Sequence, residues 1–168
     1  MSNPRNELMA LVDQIPDPGV KVFTQVMLED HVPAHFWYKE SSACKYHPSD
    51  EHGKYGLLIH SIRVVKVGMI ICDSRPELNR SVVMSSCTLH DMCRFGDVKK
   101  PAPYTLKSHP DLAAFIIREE GTDIIPEADA IAHAVETHMG RWGNIKPDNK
   151  TSWTVHLADN IASKMHTL

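Results

Sequence analysis

His90 and Asp91 are neighbours near the end of a segment, residues 82–92, that reads as a buried helix with Val83, Met84 and Cys87 facing in. An imidazole nitrogen and a carboxylate oxygen are common ligands for a divalent transition metal. Adjacent helical residues point about 100° apart, so the pair embraces an ion better at a helix end than along its side. The alternative is a surface histidine beside a C-terminal charge. His60 lies 30 positions upstream in the most apolar helical stretch, where its ring nitrogens need partners. Asp159 shares a helical face with Val155 and Ala162, a costly place for an unpaired carboxylate. His60, His90, Asp91 and Asp159 together form a candidate four-ligand site drawn from three helices. The competing reading is four unrelated polar residues.

The elements that must position these groups are read from periodicity and breakers. Pro4 sits just inside a first helix that runs to Ile15, ahead of the breaker Pro16-Asp17-Pro18-Gly19. Residues 20–29 form a second helix. Residues 31–54 are irregular and long for an idle connection. From Gly56, the steps Leu58, Ile62, Val65, Met69 and Cys72 mark a buried stripe that stops before Asp73-Ser74-Arg75-Pro76. Further helices are expected at residues 82–92, 110–119, 126–138 and 151–165, with loops at 95–108 and 143–150. No segment alternates with period two. The expected fold is all-α, a compact helical bundle of one domain over residues 1–168, with N-terminal helices at about 4–29 and a metal-site core at about 32–164.

Composition narrows the classes of function. The chain is 42% apolar and 23% charged, ordinary for a globular protein. Its formal charge of −3 gives no overall basic excess to drive binding to a polyanion. No apolar run reaches the roughly 18–20 residues of a membrane span. The N-terminus shows no apolar signal core, and the four cysteines show no C-x-x-C spacing. Reduced thiols in a cytoplasmic setting are therefore expected. Walker A, nucleophile-elbow and His-Glu-x-x-His motifs are absent. The eleven histidines are the unusual feature of the composition.

His60, His90-Asp91 and Asp159, in that order within a helical chain, resemble the HD-domain metal-dependent phosphohydrolases over about residues 32–164. Gly56-Leu57-Leu58-Ile59-His60-Ser61 resembles the Gly-Gly-Leu-x-x-His-Thr segment of that family. Leu89-His90-Asp91-Met92-Cys93-Arg94 resembles Leu-His-Asp-x-x-Lys, with Arg94 in place of lysine. Leu157-Ala158-Asp159 resembles the closing Ala-Asp segment. His109-Pro110 is similar to the His-Pro element of binuclear HD enzymes. The resemblance implies that Asp91 bridges two metals, with His109 and His138 on the second. His138-Met139 departs from the paired histidines of HD-GYP proteins, and structural helix-end histidines are the alternative. Ile131, Val135 and His138 share one face; His133 lies on another and is expected to be a bystander.

Residues 41–48, Ser-Ser-Ala-Cys-Lys-Tyr-His-Pro, resemble a segment in small phage and microbial HD proteins, including phage-type deoxyadenosine triphosphate triphosphohydrolases. On that basis Lys45 and Arg94 are candidate phosphate ligands, as a point charge and a fork respectively. Phe36, Trp37 and Tyr46 could form a flat wall for a base, or simply fill core beneath the loop. His47 could donate to a phosphate or leaving oxygen, or be a plain loop histidine; Arg141 is a further phosphate candidate. The expected catalytic set is Asp91, Arg94, Lys45 and His109.

The expected cofactor is one or two divalent ions among Zn, Mn, Co, Fe and Ni, which supply a water of lowered pKa and neutralise charge at phosphorus. The resemblance implies a nucleotide phosphohydrolase, foremost a deoxynucleoside triphosphate triphosphohydrolase of the dATP type attacked at the α-phosphate. The alternatives are a 5′-nucleotidase, a phosphodiesterase or exonuclease on single-stranded nucleic acid, and a non-catalytic binding module. The expected partner is a small nucleotide, ahead of nucleic acid, with no membrane and a possible homo-oligomer.

Overall fold

A computed structural model describes residues 3–41 and 47–165. Lys45 and Tyr46, named above as candidate substrate contacts, lie outside the described residues. The chain is all-α. Among the described residues, seven α-helices run in the order α1 Pro4–Val12, α2 Pro18–Val26, α3 Gly56–Ser74, α4 Arg80–Leu89, α5 His109–Gly121, α6 Ala128–Thr137 and α7 Lys150–Ala162.

Short polar residues start most of these helices. Asn3, Asp17, Asn79 and Asn149 each accept a backbone N–H in the first turn of α1, α2, α4 and α7. At α7 the cap is reciprocal, because Ser152 turns its hydroxyl back to the amide of Asn149. Several boundaries differ from the expected ones. The first helix stops at Val12, not Ile15, because Asp13 and Gln14 form a turn. The second begins at Pro18 and passes into a π turn, Met27–His31, where one continuous helix was expected. The fourth ends at Leu89, so His90 and Asp91 stand just beyond it.

The helix α3 is the axis of the fold. It packs against α1, α4 and α7, while α6 packs against α4, α5 and α7. Leu57, Leu58, Val64, Val65 and Val67 are buried around more than one face, so α3 is a central helix rather than a half-solvated one. Each such side chain contributes roughly 1.5–3 kcal/mol through burial. Polar groups also cross the core. Thr24 of α2 and Ser85 of α4 share a buried hydrogen bond of 2.7 Å.

Between α2 and α3 the chain makes two 3₁₀ turns, Ala34–Trp37 and Ser49–Glu51. The second lies directly on the start of α3. A Cβ on Gly56 would stand 1.9 Å from the carbonyl oxygen of Glu51, so only glycine admits this approach. Glu51 is thereby fixed one helical turn from His60.

Candidate metal centre

The helices α3, α4, α5, α6 and α7 bring six side chains into one buried cluster. His60 comes from the interior of α3 and Asp159 from α7. His90 and Asp91 follow α4, His109 opens α5, and His138 follows α6. His60, His90, Asp91, His109 and His138 are all buried, and Asp159 is partly so.

Two sets of donor atoms share Asp91. In the first, His60 Nε2 lies 3.1 Å from Asp159 Oδ1 and 3.4 Å from His90 Nε2. His90 Nε2 lies 3.5 Å from Asp91 Oδ2. In the second, Asp91 Oδ1 lies 2.9 Å from His109 Nε2 and 3.6 Å from His138 Nε2, and these nitrogens are 3.4 Å apart. Donors about 2.0–2.2 Å from a tetrahedral ion are about 3.3–3.6 Å from one another. Four of the six separations fall in that range, two in each set, and the His60–Asp159 and His109–Asp91 pairs are shorter, at 3.1 and 2.9 Å.

The tautomers make the fit chemical as well as geometric. Nδ1 of His90 donates to the carbonyl of Cys87 (2.8 Å), that of His109 to Leu106 (2.7 Å) and that of His138 to Val135 (2.7 Å). A carbonyl only accepts, so each Nδ1 carries the proton and each Nε2 of a neutral ring offers a lone pair. Facing lone pairs repel unless a proton or a cation stands between them. Protonation does not serve His90, whose burial lowers its pKa to about 4 against the pull of Asp91. Asp91 Oδ1 and His60 Nδ1 are buried with no hydrogen bond of good geometry. A divalent transition metal answers the facing Nε2 lone pairs and Asp91 Oδ1, though not His60 Nδ1, and contacts to backbone carbonyls are a usual means of orienting histidine ligands.

Charges around the cluster keep its carboxylates ionised, while they favour a proton on His60 that a bound metal would displace. Burial opposes the charge on Asp91, but the Arg94 guanidinium and the neighbouring histidines keep its carboxyl well below the usual range. Burial also opposes the charge on Asp159, which His60 lowers in turn. Burial would depress His60, yet Asp159 and Glu51 raise it to about 9.

Glu51 is the residue that sequence reading missed. It is buried, its Oε2 lies 3.3 Å from His60 Nδ1, and His47 Nδ1 approaches the same oxygen at 2.7 Å. Its other oxygen meets Arg63 Nη1 at 2.5 Å, and Arg63 also pairs with Asp50. Only the proximity of Asp50-Glu51 to α3 hints at this in the sequence.

The other expected site residues fall in different places. Arg94 touches Asp91, with its Nε buried and unpartnered. His47 is tied to Glu51 and meets the edge of the His60 ring. Phe36 is in the core, and the ring of Trp37 lies under Arg5 at 4.3 Å, so the two form no free wall for a base. Arg141 is exposed, with its guanidinium 4.3 Å over the ring of Trp142. His133 points away and pairs with Asp148 at 2.7 Å. Among the described residues, Cys72, Cys87 and Cys93 are free and buried. No described helix is long and apolar enough to cross a membrane.

Helices converging on a buried His/Asp cluster define a helical candidate metal-site architecture, and comparison with known proteins gives its family. The family model described as HD domain matches residues 57–164. The chain belongs to the HD domain family. It is 23% identical over 178 residues to the 3′-5′ exoribonuclease YhaM of Bacillus velezensis, covering 96% of this chain and 55% of that protein. It is 22% identical over 181 residues to the protein of that name from Bacillus subtilis, covering 98% and 56%. With that of Bacillus pumilus it shares 26% over 125 residues, covering 67% and 40%. The chain thus spans about half the length of the curated relatives it matches. No solved structure gives a significant match.

Proposed function

We propose that the chain is a metal-dependent phosphodiesterase that shortens single-stranded RNA from its 3′ end. The class of ester comes from its relatives, which are named 3′-5′ exoribonucleases. The single observation that carries the chemistry is the buried convergence of histidine Nε2 atoms on the two oxygens of Asp91. The reading moves away from a deoxynucleoside triphosphate triphosphohydrolase, because the relatives favour the nucleic-acid alternative.

In this reading His60, His90, Asp91 and Asp159 hold one divalent ion, and Asp91, His109 and His138 a second. When bound, the ions supply Lewis-acid stabilisation of a phosphoryl oxygen and a water of lowered pKa. Glu51 fixes the ring of His60, and three backbone carbonyls fix the other histidines. Arg94 keeps Asp91 ionised and presents a cation beside it, suited to a phosphate oxygen.

The test is a 5′-labelled oligoribonucleotide incubated with Mn²⁺ or Co²⁺. A ladder shortening from the 3′ end is expected, abolished by chelation and by Asp91→Ala. Release of triphosphate from deoxynucleoside triphosphates, with the oligomer left intact, would restore the triphosphohydrolase reading.

A further inference from the structure

Beside the metal centre lies an open groove of about 450 Å³ between the turn Gly140–Trp142, the loop that follows it, and α7. Trp142 and Trp153 line it and are 53% and 49% exposed. The Trp142 ring already carries the Arg141 guanidinium, whereas a large ring left half in water, as Trp153 is, invites a flat partner. Arg141, Lys146 and Lys164 also line the groove, and no Asp or Glu does. In a chain of formal charge −3, this is a local concentration of positive charge.

The groove is joined to the metal cluster through the chain itself. His156 lines it and donates from Nδ1 to the carbonyl of His138 at 2.6 Å. Asn160 lines it and directly follows Asp159 on α7. Gly140 closes the corner with φ +56°, and a Cβ there would stand 2.4 Å from His156 Cε1. The groove wall and two candidate ligands therefore share a rigid frame.

We infer that this groove seats a single-stranded oligonucleotide, with a base on Trp153 and phosphates on Lys146, Lys164 and Arg141, whose guanidinium lies over the Trp142 ring at 4.3 Å. Stacking on aromatic rings accepts any base, and the interleaved cations follow a sugar-phosphate backbone. A stacking ring and three separate cations exceed what a single nucleoside monophosphate requires. The absence of carboxylates from the lining sets the groove apart from a surface built for a basic partner. The inference rests on the phosphodiesterase reading for its chemistry, yet binding is measurable without turnover.

The experiment titrates the full chain, in Mn²⁺, with a phosphorothioate oligouridylate that resists cleavage, across a series of salt concentrations. Ordinary oligouridylate is assayed for cleavage in parallel. Trp153→Ala is expected to raise Kd by about 5- to 150-fold, the range for loss of one base stack. Lys146→Ala, on an exposed loop, is expected to reduce the slope of log affinity against log salt by about 0.7. Loss of binding in these variants supports the groove even if the native chain cleaves nothing, which would sink only the phosphodiesterase reading. Unchanged affinity in both variants, with cleavage intact in the native chain, overturns the groove and leaves that reading standing. No binding by the native chain also overturns it. So does conversion of a dimer to a monomer by Trp153→Ala at unchanged oligonucleotide affinity, which would give the face to a second copy.

Discussion

His60 is oriented differently from the other three histidines of the cluster. His90, His109 and His138 each donate Nδ1–H to the carbonyl three residues back in the chain. His90 and His138 follow helix C-termini, where carbonyls lack an i+4 partner, and Leu106 lies in the loop that precedes α5. His60 sits inside α3, where the equivalent carbonyl, that of Leu57, already serves the helix and the Ser61 hydroxyl. It must look elsewhere, and Glu51 Oε2 stands 3.3 Å away as a charge contact rather than a well-aligned hydrogen bond. One half of the centre is thus positioned by local backbone. The other depends on a side chain held by Arg63, His47 and the missing Cβ of Gly56.

Asp91→Ala removes the group common to both halves and carries the largest expected effect. Hydrolysis should fall by about 10³-fold or more, the scale of several kcal/mol of lost charge stabilisation. Helical circular dichroism should be retained. Activity near that of the native chain would separate Asp91 from the chemistry.

Glu51→Gln tests the dependent half alone. Loss of an outer partner of a metal ligand costs about 10–100-fold in metal affinity or activity. A competition titration against a chelator should show one class of site weakened and the His109–His138 class little changed. Equal weakening of both classes would mean that the halves are not independently supported. Gly56→Ala should produce a milder version of the same defect. Its Cβ displaces the Glu51 carbonyl, with a stability loss of about 1–3 kcal/mol, as overpacking commonly gives. Denaturant unfolding measures the loss, and the chelator titration shows whether the same class of site is weakened.

This contrast also explains what could be read from the sequence. The all-α fold and the central helix followed from periodicity, because apolar positions recur through residues 58–72. His60, His90, Asp91 and Asp159 were legible because buried titratable residues are rare in apolar stretches and fell in a recognisable order. Glu51 was not, because a carboxylate in an irregular loop looks like ordinary surface polarity until Gly56 brings it against α3. Trp142 and Trp153 were not either. One lies in a short 3₁₀ turn and the other on the exposed face of α7, and only the tertiary fold sets them in one groove. The reverse error befell Phe36 and Trp37, whose types suit stacking but whose faces are taken by the core and by Arg5.

His133→Ala carries the smallest expected effect and sharpens the comparison from the other side. His133 and His138 share the last turns of one segment, and both are histidines near an acidic partner. His133 meets Asp148 at 2.7 Å on an outer face, where Asp148 is largely exposed. Surface pairs of that kind contribute about 0–1 kcal/mol. His138 is buried against Asp91, and its carbonyl anchors His156. Replacing His133 should therefore leave metal stoichiometry unchanged and hydrolysis within about twofold, since a surface substitution away from the site rarely exceeds ~0.5 kcal/mol. His138→Ala should remove one class of metal site. If metal titration and initial rates ranked the two variants the other way, α6 would present its opposite face to the substrate. The donor set built on Asp91 Oδ1 would then have to be redrawn.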